Sequence, residues 1–154
     1  MELPRLNNSN SAYPYDFKDH TVLIVEDVDF SFIYMEAALR RTGVKIIRSQ
    51  NGKEAVETVK ANPEIDLVLM DMYMPVMTGY EATEIITKLR PSLPIIAQTA
   101  FCLPEDIKKC YTAGCTGFLA KPIRKEVLID TLAEYFERIE QGTAEIHLNK
   151  AING

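Results

Sequence analysis

The chain has 154 residues, enough for one domain and a little spare length. Its formal net charge is −5 and no run of Lys or Arg forms a basic stripe, so direct binding to nucleic acid is not expected. No stretch approaches the roughly 20 apolar residues of a membrane span, and the start "MELPRLNNSN" lacks the apolar core of a signal peptide, so the protein reads as cytoplasmic and without membrane contact.

Residues 1–18 carry Asn7-Asn8-Ser9-Asn10-Ser11 and two prolines with no helical or strand period, and read as a leader or linker. The folded part is expected over 19–140. Val22 to Val25 is the first short apolar run, ending at Glu26-Asp27, and Asp29 stands where an N-cap for the first helix belongs. In that helix Phe30, Phe32, Ile33, Tyr34, Met35, Ala37, Ala38 and Leu39 cover more of the circumference than a core-facing stripe requires. Phe30 and Ile33, near its start, are therefore expected at the surface as partner-docking residues, unless Tyr13, Tyr15 or Phe17 of the leader covers them.

Gly43 ends the first helix, Val44 to Ile47 is the second apolar run, and Asn51-Gly52 opens a helix with Ala55, Val56 and Val59 on one face. Leu67 to Met70 is the third run, followed by a helix with Ala82, Ile85, Ile86 and Leu89. Ile95 to Ala97 is the fourth run. Pro104 suits the first position of the next helix, which carries Ile107, Cys110 and Tyr111 and ends at Gly114. Phe118 to Ala120 is the fifth run, and the last helix has Val127, Leu128, Leu132, Tyr135, Phe136 and Ile139 on one stripe. Residues 141–154 read as a C-terminal tail. Cys102, Cys110 and Cys115 lack metal or redox spacing and read as ordinary thiols.

Runs apolar throughout suit strands covered on both faces, and five strand–helix units joined by short connections imply right-handed crossovers. The fold class is α/β: a flavodoxin-like (βα)5 doubly wound parallel sheet of order 2-1-3-4-5, in three α/β/α layers. If strands one and three are neighbours, Glu26, Asp27 and Asp71 converge at the carboxyl edge, where open α/β sheets bind ligands. Three carboxylates so placed repel one another and call for a countercharge. A hard divalent cation fits, Mg²⁺ (or Mn²⁺) held by oxygen ligands. Strands four and five end in Thr99 and Lys121, which bring a hydroxyl and an ammonium to the same edge.

The segments "VLIVEDVDF", "LVLMDMYMPVMTGYEAT", "IIAQTA" and "GFLAKPI", in this order and spacing, resemble the receiver domains of two-component response regulators and hybrid histidine kinases over about Thr21 to Phe136. The resemblance implies that Asp71 is the phosphoacceptor, that Glu26, Asp27, Asp71 and the backbone carbonyl of Tyr73 hold the metal, and that Thr99 and Lys121 contact the phosphoryl oxygens. It further implies a cis Lys121-Pro122 bond, a switch formed by Thr99 and Phe118, and a histidine kinase or histidine phosphotransfer domain as partner. A phosphorylation-dependent dimer through helix 4, strand 5 and helix 5 is an additional expectation. Such a domain catalyses its own aspartyl phosphorylation and is no turnover enzyme alone. Glu26 stands where many relatives have aspartate, which leaves open whether it touches the ion directly. Tyr73 and Phe101 are bulky and flank the site, which predicts a long-lived acyl phosphate.

Two rival chemistries are weaker. A haloacid-dehalogenase-like phosphatase wants a second acid two residues after its nucleophile, where this chain has Tyr73. A flavodoxin-type cofactor binder would meet repulsion from Glu26-Asp27-Val28-Asp29. Within the receiver reading, part of a hybrid sensor histidine kinase is favoured over a stand-alone regulator, on the leader and on the phrase running through "IIAQTA".

Overall fold

The computed structural model describes the backbone of residues 13–153 and the side chains as far as residue 142. The elements run β1 (Thr21–Val25), α1 (Asp29–Leu39), a 3₁₀ turn (Arg40–Thr42), β2 (Lys45–Ser49), α2 (Gly52–Ala61), β3 (Leu67–Asp71), α3 (Gly79–Leu89), β4 (Ile95–Thr99), α4 (Pro104–Ala113), β5 (Gly117–Ala120) and α5 (Lys125–Asn153). All strands pair in parallel in the order β2-β1-β3-β4-β5, the expected doubly wound arrangement.

Alternation along each strand feeds two cores. Leu23, Val25, Val68 and Met70 face α2, α3 and α4, where they meet Val56, Ile86 and Cys110. Val22, Ile24, Leu67 and Leu69 face α1 and α5, against Met35, Leu39, Leu128 and Phe136. With both faces covered, β1, β3 and β4 are buried at every position, which is why their sequences are apolar over most of their length, the polar residues Thr21, Asp71, Gln98 and Thr99 falling at or next to the strand ends. The edge strand β2 differs. It runs on to Arg48 and Ser49, past the apolar residues, because one of its sides is open and polar side chains are tolerated there.

Turn chemistry sets the connections. Asn51 and Thr78 cap α2 and α3, their side chains accepting the backbone N–H of Glu54 and Glu81 at 2.8 and 3.2 Å. Pro104 begins α4, while Gly43 and Gly114 leave their helices at positive φ. Asp29 is not the cap of α1. Val28 occupies that position without a side-chain hydrogen bond, and Asp29 is the first helical residue, paired with Arg48 at 2.8 Å.

Residues before position 19 pack onto the body. Phe17 is buried against Phe136, its N–H donates to the carbonyl of Thr42 at 2.7 Å, and the Tyr15 hydroxyl donates to Asp130 at 2.7 Å. At the same pole His20 stacks on Phe136 and lies 2.8 Å from the Glu140 carboxylate. Tyr15 and Phe17 of the leader thus strap α5, rather than covering α1, and the Tyr13 ring centroid lies 4.4 Å from the Arg41 guanidinium carbon. Helix α5 continues through the positions read as a tail, as far as Asn153.

Candidate functional site

The carboxyl edge of the sheet collects side chains from four strand ends. Glu26 and Asp27 follow the last residue of β1, Asp71 is the last residue of β3, Thr99 the last of β4, and Lys121 follows β5. Pairing of Val25 with Met70 aligns the first two segments. A carboxylate oxygen from each of Glu26, Asp27 and Asp71 then lies within 4.8 Å of the other two. Lys121 Nζ stands 3.3 Å from Asp71 Oδ2 and 3.5 Å from Glu26 Oε2. The Lys121-Pro122 peptide is cis.

Glu26 is fully buried, and among the described residues neither of its carboxylate oxygens has a hydrogen-bond partner. Burial, then the neighbouring Asp71 carboxylate, push the Glu26 carboxyl up to about 7, against smaller opposing effects of Lys121 and Ser31. A pair of orphaned buried oxygens beside two further carboxylates, with one ammonium among them, is a donor set suited to a hard cation: oxygen ligands only, with negative charge in excess. The residues present therefore fit Mg²⁺ or Mn²⁺.

Asp71 Oδ1 accepts the N–H of Tyr73 at 3.0 Å, so the residue whose carbonyl was expected at the metal also ties down the carboxylate by its amide. The Thr99 hydroxyl is buried, accepts the N–H of Phe101 at 2.9 Å, and donates weakly to the Phe101 carbonyl at 3.4 Å. Phe118 is half-buried against the α2–α4 core. The Tyr73 and Phe101 rings meet at 4.7 Å between centroids, both exposed to solvent at the site's rim. Phe30 and Ile33 are 83% and 58% exposed, and a groove of 490 Å³ lined by Phe30, Tyr34, Met35, Pro122 and Ile123 reaches Lys121.

Gly79 is required by close approach rather than by a backbone conformation closed to other residues. Its φ is not positive; instead, a Cβ built there would stand 2.2 Å from the carbonyl oxygen of Asp71 and 2.7 Å from Met72 Cα. Helix α3 thus starts in direct contact with the backbone of Asp71. The left-handed residue of this loop is Val76, at φ 72°, the centre of a γ-turn closed by Met77 N–H to Pro75 O at 2.8 Å.

Two residues near the site escape a reading based on acids and apolar runs. Arg48, at the end of the edge strand, donates through Nε and Nη2 to the carbonyl of Glu26 at 3.2 and 3.0 Å and lies over the Phe32 ring. An arginine directly after the apolar pair Ile46-Ile47 was the available signal. Gln98 pairs in register with Asp71, is fully buried, and has no partner for either amide atom.

The sequence profile of the response regulator receiver domain matches residues 22–133. The two-component response regulator ORR41 of Oryza sativa subsp. japonica is 40% identical over 117 residues, 74% of this chain and 92% of that protein. The sensor histidine kinase RcsC of Salmonella typhimurium is 33% identical over 126 residues, 82% of this chain but only 13% of the kinase. Among solved structures, the receiver domain of the response regulator Ssk1 of Saccharomyces cerevisiae, in complex with the histidine phosphotransfer protein Ypd1, superposes with a TM-score of 0.73 at 28% identity, covering 77% of this chain and 90% of that one.

Proposed function

The chain belongs to the response regulator receiver domain family, and from that membership we propose that it takes a phosphoryl group from a phosphohistidine onto Asp71 and relays a two-component signal by changing shape. The observation that carries this reading is the placement of the Asp71 carboxylate, 3.3 Å from the Lys121 ammonium and within 4.8 Å of the Glu26 and Asp27 carboxylates. Glu26, Asp27 and Asp71, with the Tyr73 carbonyl, would hold Mg²⁺ or Mn²⁺, which when bound neutralises and orients the incoming phosphoryl group.

In the transfer, an Asp71 carboxylate oxygen bonds to phosphorus as the P–N bond breaks, and the electron pair departs on the donor's imidazole nitrogen. The Tyr73 N–H keeps the carboxylate from rotating. Lys121 meets the charge on the phosphoryl oxygens. The Thr99 hydroxyl, held by Phe101 before transfer, turns toward those oxygens afterwards; Phe118 moves into the space it leaves and reshapes the face of α4, β5 and α5. That face would carry a phosphorylation-dependent dimer contact. Tyr73 and Phe101 restrict the approach of water and slow loss of the group.

Phe30 and Ile33 dock the phosphohistidine-bearing helices of a kinase or phosphotransfer domain, a reading supported by their exposure and by the Ypd1 complex of the Ssk1 receiver. We place the receiver body at 19–140, strapped by Tyr15 and Phe17, in the cytoplasm; among the described residues no helix is long and apolar enough to cross a membrane. Both stand-alone regulators and hybrid kinases are relatives, and the hybrid context is favoured on the motif phrase. Incubation with a phosphorylated histidine phosphotransfer protein and Mg²⁺ should move one phosphoryl group to this chain. Phe30→Ala should slow that transfer while leaving uptake from acetyl phosphate intact. Steady release of phosphate from added monoesters would point to the phosphatase instead.

A further inference from the structure

We propose that Arg48 is a positioning residue for divalent-cation binding, one that holds the Glu26–Asp27 peptide so that both carboxylates face Asp71. The inference rests on the receiver reading of the acid pocket. Glu26 and Asp27 lie beyond the last residue of β1, where a chain leaving its sheet ordinarily loses its ladder bonds. Here both polar groups of the Glu26 backbone are tied to β2. Its N–H donates to the carbonyl of Ser49 at 3.0 Å, and its carbonyl accepts two donors from the Arg48 guanidinium, at 3.2 and 3.0 Å.

The guanidinium is itself oriented from two other sides. Its Nη2 lies 2.8 Å from Asp29 Oδ1 in the first turn of α1, and its Cζ sits 4.6 Å from the centroid of the Phe32 ring. One side chain, 19% exposed, therefore joins the edge strand, the exit of β1 and the start of α1. A planar fork suits this task because its donors are fixed relative to one another.

Charge alone predicts the opposite consequence. A cation beside three carboxylates competes with a metal ion for their field, so an arginine acting only through its charge weakens metal binding, and its removal tightens it. An arginine acting by position strengthens binding, and its removal weakens it. The geometry favours position: the ion pair of Arg48 is with Asp29, outside the acid triplet, whereas its two donated hydrogen bonds go to the backbone that carries two of the three acids.

The test is Mn²⁺ affinity measured by electron paramagnetic resonance on the full chain, together with hydrogen exchange of the Glu26 amide, which donates to the Ser49 carbonyl, in metal-free protein. Arg48→Met should weaken Mn²⁺ binding by about tenfold, the scale seen when a group supporting metal ligands is lost, and should speed exchange of the Glu26 amide. Arg48→Lys, which keeps the charge and one donor but not the fork, should fall between. Asp29→Asn leaves both Glu26 bonds in place and should stay within about twofold of the parent, well inside that scale. Binding by Arg48→Met or by Arg48→Lys that is as tight as the parent's or tighter, or a loss in Asp29→Asn equal to that in Arg48→Met, overturns the inference. Failure of the parent chain to bind Mn²⁺ would instead overturn the receiver reading beneath it.

Discussion

Glu26 links the acid pocket to folding stability in a way that a pH titration can read. In the folded, metal-free chain its carboxyl is raised from an ordinary value of 4.5 to about 7, chiefly because its charged form would be buried. A folded-state value above the unfolded one means that the native chain holds the extra proton between these limits. The associated stability is present in full below about pH 4.5 and is lost as pH rises through about 7. Over that interval the loss amounts to about 3 kcal/mol, at about 1.4 kcal/mol per pH unit. Urea unfolding in EDTA, at several pH values across this range, should show the loss in the parent and not in Glu26→Gln, whose amide does not titrate. Saturating Mg²⁺ should restore stability at the alkaline end, because the ion binds the ionised carboxylate and not the unfolded chain. A parent and a Glu26→Gln variant that follow the same pH profile in EDTA would refute the reasoning, since the buried carboxyl would then contribute no proton linkage.

Other residues offer independent checks. Gly79→Ala should destabilise the chain by about 3 kcal/mol or more, as a Cβ there collides with the backbone of Asp71 and Met72 and neither can yield easily; calorimetry reads this, and a shift under 1 °C would show that α3 can slide away. Gln98→Met should stabilise by about 1 kcal/mol, because an amide with no partner leaves the interior and a thioether of similar volume replaces it; an unchanged or lower urea midpoint would mean that the amide is satisfied in solution. Tyr73→Asn should speed decay of the phosphorylated chain by about tenfold or less, equivalent to about 1.4 kcal/mol in the barrier, with a radiolabel chase as the measurement. A decay rate equal to the parent's would remove the ring from any part in excluding water.

How far such a site can be foreseen depends on the kind of interaction. The five strands were legible because a sheet covered on both faces demands unbroken apolar runs, and the convergence of Glu26, Asp27 and Asp71 followed from the strand order alone. The apolar run of edge strand β2 stops short of its end, since Arg48 and Ser49 look like loop residues until the open side of the sheet is known. The anchoring of Glu26 by Arg48 spans twenty-two positions and involves a backbone carbonyl, which leaves no complementary side chain to notice. Gly79 is ambiguous in any sequence: a glycine serves positive φ and close approach equally well, and only the packing of α3 on Asp71 separates them. Tyr15 and Phe17 sit in polar surroundings that suggest a linker, yet their rings find α5.

The most direct measurement is the site of phosphorylation. Incubated with Mg²⁺ and acetyl phosphate, the intact chain should gain the mass of one phosphoryl group, and borohydride reduction followed by peptide mapping should place the acyl phosphate on Asp71, with no uptake in EDTA or by Asp71→Asn. A modified residue elsewhere, or equal uptake by Asp71→Asn, would contradict the account.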